Sequence, residues 1–303
     1  MQMNLNQKLL LIGGTGNVGR GICSQNSKYR KSFISSSRKN IPGHFQLDPF
    51  DKRDLLELIA AEEVGGVVLL HAVASPSECL DNIHSAIKTN VSLPARIAEI
   101  CRYENVPFVF VSSEYIYNGN IGVPKSESSN NIEPANIYGL MKLSAEKLVQ
   151  EVNIGALILR LPKMYSYFSE NSILGWAIRD IQMLRSAPIA NDQKFSPLAS
   201  EDLAEILLTC VSMNINGAYN CGGPDALSRL DYYNILSRKF GYDNYFSGAS
   251  LADMGIGPSV PRDVTLDSTK LYNTLGKVPR SFSSYIDQHD DLIREKFTSS
   301  SRS

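Results

Sequence analysis

The run Lys8-Leu9-Leu10-Leu11-Ile12-Gly13-Gly14-Thr15-Gly16-Asn17-Val18-Gly19 decides the fold of this 303-residue chain. Its apolar first half is typical of a central strand in a parallel sheet, where both faces are buried. The glycines follow at once in G-x-x-G-x-x-G spacing, and the next residues, to about Asn26, form a plausible helix. A strand, a glycine loop and a helix in this order bring backbone N–H groups to a pyrophosphate. A purely structural turn is the alternative. The residues expected at the dinucleotide are Gly13, Thr15, Gly16, Asn17, Val18 and Gly19.

Short apolar runs continue to alternate with helical segments as far as residue 161. This alternation predicts an α/β fold with a doubly wound parallel sheet of the Rossmann type. We expect residues 1–165, with a return segment at about 196–222, to form an NAD(P)-binding domain. Residues 166–195 and 223–303 should form a smaller, mixed C-terminal lobe that binds substrate at the edge where the strands end.

The overall composition excludes several classes of partner. A formal net charge of −1 argues against a nucleic-acid or membrane partner, since both attract basic surfaces. The five cysteines are odd in number and scattered, which favours reduced thiols and no metal site. The polar N-terminus does not resemble a signal peptide, and no apolar run approaches the roughly 20 residues of a membrane span. We therefore expect a cytoplasmic protein.

The segment Ser36-Ser37-Arg38-Lys39 follows the second predicted strand, where an NAD-preferring protein would place an acid. Arg38 and a hydroxyl such as that of Ser36 suit the 2′-phosphate of NADP, although a solvated loop is the alternative and NAD remains a candidate. Asp48, after a third short strand, either accepts from the adenine amino group or caps the next helix. The two interpretations of Asp48 stand equal.

Small residues close the next buried strand, over residues 66–72. His71, Ala72 and Val73 would place backbone beside a cofactor, although a packed histidine is the more usual outcome for His71. One helix is predicted over Asp81–Tyr103, and it carries Asn90, which is more polar than a core face requires. Asn90 either lies on the surface or bonds backbone near the site.

Tyr138 and Lys142 lie four positions apart in a segment that reads as a helix, Asn136–Val152, so they share one face. An ammonium beside a phenol favours the phenolate and lowers the tyrosine pKa. Ser113, at the end of another buried strand, can hydrogen-bond the same reacting oxygen. These groups suit proton transfer to or from an alcohol or carbonyl oxygen. Such a pair arises often by chance on a helix surface, and the glycine loop and strand-end serine favour the catalytic interpretation.

Taken together, these motifs resemble the extended short-chain dehydrogenase/reductase family, and within it dTDP-4-dehydrorhamnose reductases. Those enzymes carry S-T-D-Y-V-F-D-G where residues 112–119 read SSEYIYNG. They also carry Y-G-x-x-K-L-x-G-E where residues 138–146 read YGLMKLSAE, with Ala145 in the glycine position. Residues 262–270 (RDVTLDSTK) look like a segment of the family's lobe.

The resemblance implies reduction of a keto group on a nucleotide-diphosphate-linked deoxy-sugar by NADPH. Tyr138 would be the general acid and Ser113 would orient the carbonyl. Lys142 would bind the nicotinamide ribose and lower the pKa of Tyr138. The expected cofactor residues therefore also include Tyr138 and Lys142. The expected substrate residues are Glu114, Tyr115, Lys163 and Arg262.

Several positions depart from the resembled pattern. Related dehydratases have an acid where this chain has Tyr115, so reduction is favoured over elimination. Glu114 replaces an aspartate, and Lys163 stands where the reductases often have tryptophan, which indicates a changed sugar or position of attack. Two other functions remain open: an NAD-dependent epimerase and a catalytically silent, cofactor-binding regulatory subunit. The oligomeric state stays open between a homodimer formed by the two long predicted helices, a pairing common in the wider family, and a monomer, as in some relatives.

Overall fold

The computed structural model describes residues 7–24, 28–119, 122, 124–128, 132–185, 187–243 and 245–299. The outer limits of the two predicted domains, at residues 1 and 303, lie outside these ranges. The strands are β1 Leu9–Ile12, β2 Phe33–Ser37, β3 Phe45–Gln46, β4 Gly66–Leu69, β5 Phe108–Ser113, β6 Leu157–Leu161, β7 Met164–Tyr165, β8 Ile189–Ala190, β9 Lys194–Phe195, β10 Leu198–Ala199, β11 Gly217–Asn220, β12 Leu227–Ser228 and β13 Gly248–Ala249. The helices are α1 Asn17–Ile22, α2 Lys52–Ala61, α3 Pro76–Asp81, α4 Ile83–Ile87, α5 Leu93–Tyr103, α6 Ile137–Val152, α7 Ile173–Gln182, α8 Ser200–Ser212, α9 Arg229–Lys239, α10 Thr269–Leu275, α11 Phe282–Gln288 and α12 Asp290–Ser299.

The central sheet has seven strands in the order β11-β6-β5-β4-β1-β2-β3. Every neighbouring pair in it is parallel. The chain starts in the middle of the sheet and winds first to one edge and then to the other, so the order reverses beside β1. The predicted fold class is confirmed: this is a doubly wound Rossmann sheet, and its ligand crevice is expected at the carboxyl ends of the strands near the reversal.

Helices cover both faces of the sheet, and the side chains of β1 show why. Leu10 and Ile12 point to one face, where they join a core with residues of α2, α5 and α6. Leu9 and Leu11 point to the other face and pack with α8 residues such as Leu203. Successive side chains of a strand alternate between faces, so a run of leucines buries both.

A third core holds the C-terminal part of the chain together, and it is rich in aromatic rings. Tyr232 stacks on Phe282 with ring centroids 3.8 Å apart, and Tyr165 meets Tyr285 edge-on at 4.9 Å. Three two-stranded pairs, β7 with β10, β8 with β13 and β9 with β12, lie in this part of the chain. Helices α11 and α12 were not predicted from the sequence.

The helix predicted over about Asp81–Tyr103 is present from Ile83 to Tyr103, but it is not regular throughout. Helix α3 ends at Asp81, and Asn82 then caps α4 by accepting a hydrogen bond from the Ser85 N–H. A π-helical turn, Lys88–Ser92, separates α4 from α5. Such turns insert an extra residue and are frequent at functional sites. Here the turn contains Asn90, and it breaks the regular 3.6-residue period on which the prediction relied.

Candidate active site

The glycine loop packs closely against the segment that follows β4. Gly13 adopts φ +94°, and a Cβ on it would lie 2.7 Å from the backbone nitrogen of His71. A Cβ on Gly19 would lie 2.4 Å from the Gly14 carbonyl oxygen. At the start of α1, Gly16 offers no side chain to the first backbone N–H groups. Bare backbone at a helix start fits the pyrophosphate of a dinucleotide.

Asn17 and Val18 follow the glycine loop, and their side chains have structural partners. The Asn17 Nδ2 donates to the Asn171 carbonyl at 2.9 Å, and the Ser169 hydroxyl donates to Asn17 Oδ1 at 3.2 Å. Val18 packs against the core on the α8 face of the sheet. Any cofactor contact at these two positions is therefore expected through backbone, and it stays a prediction.

Arg38 and Ser36, both predicted to contact the 2′-phosphate of NADP, lie in different environments at the end of β2. Arg38 is exposed. Burial lowers the pKa of His71, and the positive charge of Arg38 lowers it further, so the two side chains face a common region. Ser36 is buried, and its hydroxyl donates to the Leu11 carbonyl at 3.1 Å. The Ser36 side chain thus points into the sheet, which is a correction to its expected contact with a 2′-phosphate.

Asp48 does not cap α2, so that alternative is wrong. Asp51 caps the helix instead, since its carboxylate accepts from the Arg53 N–H at 2.8 Å. Asp48 is exposed and accepts from the Phe50 N–H at 3.0 Å within its own turn. Contact between Asp48 and an adenine stays a prediction.

Asn90 fixes the backbone of the 71–74 segment. It is fully buried, its Oδ1 accepts from the Val73 N–H and its Nδ2 donates to the Val73 carbonyl, both at 2.9 Å. The surface alternative for Asn90 is therefore wrong. His71, Ala72 and Val73 follow β4 after one intervening residue. The two hydrogen bonds to Val73 therefore hold this backbone beside the glycine loop.

The structure brings Ser113 and Tyr138 together at the carboxyl end of β5. Ser113 lies close enough to Tyr138 to act on the pKa of its phenol, and its hydroxyl accepts from the Tyr115 N–H at 3.2 Å. Asn136 caps α6 by accepting from the Gly139 N–H at 2.9 Å. A Cβ on Gly139 would lie 2.0 Å from the Tyr115 carbonyl oxygen, so only glycine lets the helix approach this closely.

Lys142 lies one turn further along α6 and is 3% exposed. Its Nζ donates to the Val111 carbonyl at 2.5 Å and lies 4.1 Å from the centroid of the Phe110 ring. Burial lowers the pKa of Lys142 to about 7, against the opposing charge of Glu146. The predicted partner of this ammonium was Tyr138, whereas the structure directs it to a backbone carbonyl.

The direction of the Tyr138 pKa is a second correction. Burial raises it, although the Ser113 hydrogen bond works in the opposite direction. The predicted lowering by Lys142 is not what this arrangement produces. A half-buried phenol that keeps its proton is nevertheless the form that a general acid needs.

Glu114, Tyr115 and Lys163 form one group beside Tyr138. Glu114 is 2% exposed, burial raises its pKa to about 8, and its Oε2 has no hydrogen-bond partner among the described residues. The Lys163 Nζ donates to the Tyr115 hydroxyl at 2.9 Å, and Lys163 also partly opposes the rise in the Glu114 pKa. The Tyr115 and Tyr138 rings pack edge-on, with their centroids 6.2 Å apart. Three of the four expected substrate residues are thus adjacent.

Arg262, the fourth expected substrate residue, is not part of this group. It is exposed, and its carbonyl accepts from the Lys194 N–H at 2.6 Å. The next residue, Asp263, donates its N–H to the Gly119 carbonyl at 3.0 Å. The structure thus fixes the backbone of Arg262, and no bond joins its side chain to the other three within the described ranges.

A buried polar network next to Lys142 was not predicted from the sequence. Arg160 donates from Nη2 to Glu146 at 2.8 Å and from Nη1 to the Tyr117 hydroxyl at 2.9 Å. Tyr117 in turn donates to Asn220 Oδ1 at 2.9 Å. The available signal was an arginine inside an apolar strand, because a buried charge requires a partner.

Some arrangements are absent from the part of the chain that the structure describes. No three His, Cys, Asp or Glu side chains there are grouped to hold a metal ion. Nor does any helix there combine the length and apolarity of a membrane span. The five cysteines are free.

Comparison with known proteins places this site in a family. Residues 7–292 match the model of the RmlD substrate binding domain. The chain belongs to that family. The resemblance to dTDP-4-dehydrorhamnose reductases, drawn from the motifs, is confirmed at this level.

Three relatives of this RmlD-type chain illustrate its range. A probable low-salt glycan biosynthesis reductase of Haloferax volcanii is 26% identical over 238 residues, which are 76% of this chain and 78% of that protein. Methionine adenosyltransferase 2 subunit beta of Bos taurus is 23% identical over 280 residues, or 89% and 83%. The crystal structure of dTDP-4-dehydrorhamnose reductase from Bacillus anthracis, in complex with NADP, aligns with a TM-score of 0.82 at 16% identity, covering 94% and 98% of the two chains.

Proposed function

We propose that this protein uses NADPH to reduce a keto group of a nucleotide-diphosphate-linked deoxy-sugar. One observation carries the proposal: Ser113 lies beside the Tyr138 phenol at the carboxyl edge of the sheet, with Lys142 buried one helical turn away. The glycine loop lies at the same edge. Membership of the RmlD family supports the substrate class, and the NADP complex of the Bacillus anthracis reductase supports the cofactor.

The side chains divide the chemistry between them. When bound, NADPH supplies the hydride that the carbonyl carbon accepts. Tyr138 gives its proton to the carbonyl oxygen, and burial keeps that proton in place until it is needed. Ser113 donates to the same oxygen and so orients the ketone. Lys142 offers a donor on the same helix face, and its contact with the nicotinamide ribose stays a prediction.

The organisation of the chain supports assigning the two ligands to its two parts. We propose that residues 1–165 and about 196–222 hold the cofactor, since β11 joins the central sheet beside β6. Residues 166–195 and 223–303, which include the aromatic core, would hold the sugar. A homodimer and a cytoplasmic location stay predictions.

The direct test measures NADPH oxidation with a panel of nucleotide-linked keto-sugars, beginning with dTDP-4-dehydrorhamnose. We expect turnover of at least one member, with the corresponding alcohol as product. The same sugars without their nucleotide serve as the control and should not react. Absence of turnover across the whole panel would contradict the proposal.

Replacing Arg38 tests the choice of cofactor. We expect Arg38→Ala to weaken NADPH binding about tenfold or more, because a charge-assisted hydrogen bond to phosphate contributes about 1.5–3 kcal/mol. NADH binding should be unchanged, since NADH lacks the 2′-phosphate. Fluorescence titration of both cofactors measures this difference. Lys39→Ala, at the adjacent exposed lysine, is the matched control. An equal loss for both cofactors would contradict the role given to Arg38.

A second candidate function is a non-catalytic subunit of another enzyme. The similarity over 89% of the chain to a protein named as a subunit of methionine adenosyltransferase favours it. This candidate gains if Tyr138→Phe leaves biological function intact while cofactor binding remains essential. The epimerase alternative would gain if the purified protein carried bound NAD. The absence of an acid after β2, where Arg38 stands, speaks against it.

A further inference from the structure

Lys163 lies between β6 and β7, and its side chain reaches the proton donor's neighbour. Its Nζ is 2.9 Å from the Tyr115 hydroxyl and 4.6 Å from the centroid of that ring. The Tyr115 ring contacts the Tyr138 ring edge-on. An ammonium has three donors, so at least two remain after the bond to Tyr115. The Tyr115 ring thus lies between the Lys163 ammonium and the Tyr138 side chain that delivers the proton.

The positive charge of Lys163 has no ion-pair partner among the described residues. Burial raises the pKa of the carboxyl beside it, that of Glu114, to about 8, and this group carries at most one negative charge. Arg229, at the start of α9, adds a second positive charge that acts on Glu114. The pocket beside Tyr138 therefore has a net positive charge, and a pocket of that kind favours an anionic ligand.

We propose that Lys163 selects keto-sugars that carry an anionic group, such as a carboxylate, on the sugar ring. The inference rests on the proposed function and deepens it by naming the substrate class. Tyr138 must reach the keto oxygen, and Lys163 lies next to Tyr138 through Tyr115. A group that meets the Lys163 ammonium therefore belongs to the sugar. The diphosphate of the nucleotide is the other source of negative charge, and the experiment separates the two.

The test compares binding of UDP-glucuronate, UDP-glucose and UDP to the protein saturated with NADP, and repeats the series with thymidine nucleotides. These ligands differ only in the sugar carboxylate or in the presence of the sugar. We expect the wild-type protein to bind the glucuronate at least about tenfold more tightly than the glucose form, which corresponds to one good ionic contact. Calorimetry measures the dissociation constants without requiring turnover.

Substitutions then assign the preference to one side chain. Lys163→Met keeps an unbranched side chain that is one heavy atom shorter and removes the charge, so the two sugars should bind within about twofold of each other. Lys163→Arg should keep the preference, which shows that the site still folds. Lys147→Met, at an exposed lysine of α6, is the matched control and should change nothing.

Two results would overturn the inference. One is equal binding of the charged and neutral sugars by the wild-type protein. The other is a Lys163→Met variant that loses affinity equally for all three ligands, UDP included, because that pattern places the ammonium on the diphosphate. Neither result bears on NADPH oxidation with neutral keto-sugars, so failure here and failure of the proposed reductase activity are distinguishable.

Discussion

Tyr138→Phe should reduce kcat for keto-sugar reduction by about 10²–10⁴-fold, the usual contribution of a positioned general acid. The substitution removes one hydroxyl and keeps the ring that packs edge-on against Tyr115. Its proton is the one that the carbonyl oxygen must receive, and Ser113 alone offers a far weaker acid. Steady-state NADPH oxidation measures the loss, and fluorescence titration of NADPH separates it from any weakening of cofactor binding.

Tyr103→Phe is the matched control, because this tyrosine is 66% exposed at the end of α5. It should behave as the wild-type protein. If Tyr138→Phe retained more than about a tenth of the activity, another group would have to supply the proton. Glu114 is then the first alternative, since its buried carboxyl is protonated at neutral pH with a pKa of about 8.

Arg160→Met is expected to lower the free energy of unfolding by about 3–5 kcal/mol. Arg160 and Glu146 are 5% and 4% exposed, and the substitution leaves the Glu146 carboxylate buried without its bidentate partner. The Tyr117 hydroxyl loses a donor in the same step. Urea denaturation followed by circular dichroism measures the change.

The double variant Glu146→Leu with Arg160→Met separates pairing from packing. Removing both charges should recover much of the lost stability, because no uncompensated charge is left buried. A single Arg160→Met variant as stable as the wild-type protein would show that water or another group satisfies Glu146. In that case the network would not stabilise the wall of the site next to Lys142.

The central sheet was predictable because its signals are local. The leucines of β1 and the glycines after it specify a buried strand and a tight turn without reference to distant residues. The positions of Ser113, Tyr138 and Lys142 followed from the same reasoning, since each lies at a strand end or on a helix face. The π-helical turn at Lys88–Ser92 was not predicted, and neither was the pairing of its Asn90 with a backbone segment 17 positions away at Val73.

Electrostatic properties depended on burial, which the sequence does not display. The spacing of Tyr138 and Lys142 suggested a lowered tyrosine pKa, yet desolvation raises it and lowers that of Lys142 instead. Desolvation penalises the charged form of each group, and this outweighs the attraction that simple proximity would supply.

Local patterns in the chain are therefore enough to specify the Rossmann sheet, the glycine loop and the residue types of a proton-transfer site. They act over one strand or one helical turn, where backbone geometry alone decides which side chains share a face. The meeting of Lys163 with Tyr115, 48 positions apart, depends on the folded chain. So does the buried charge network of Arg160, because only tertiary packing decides which charges lose their water and which partners then satisfy them.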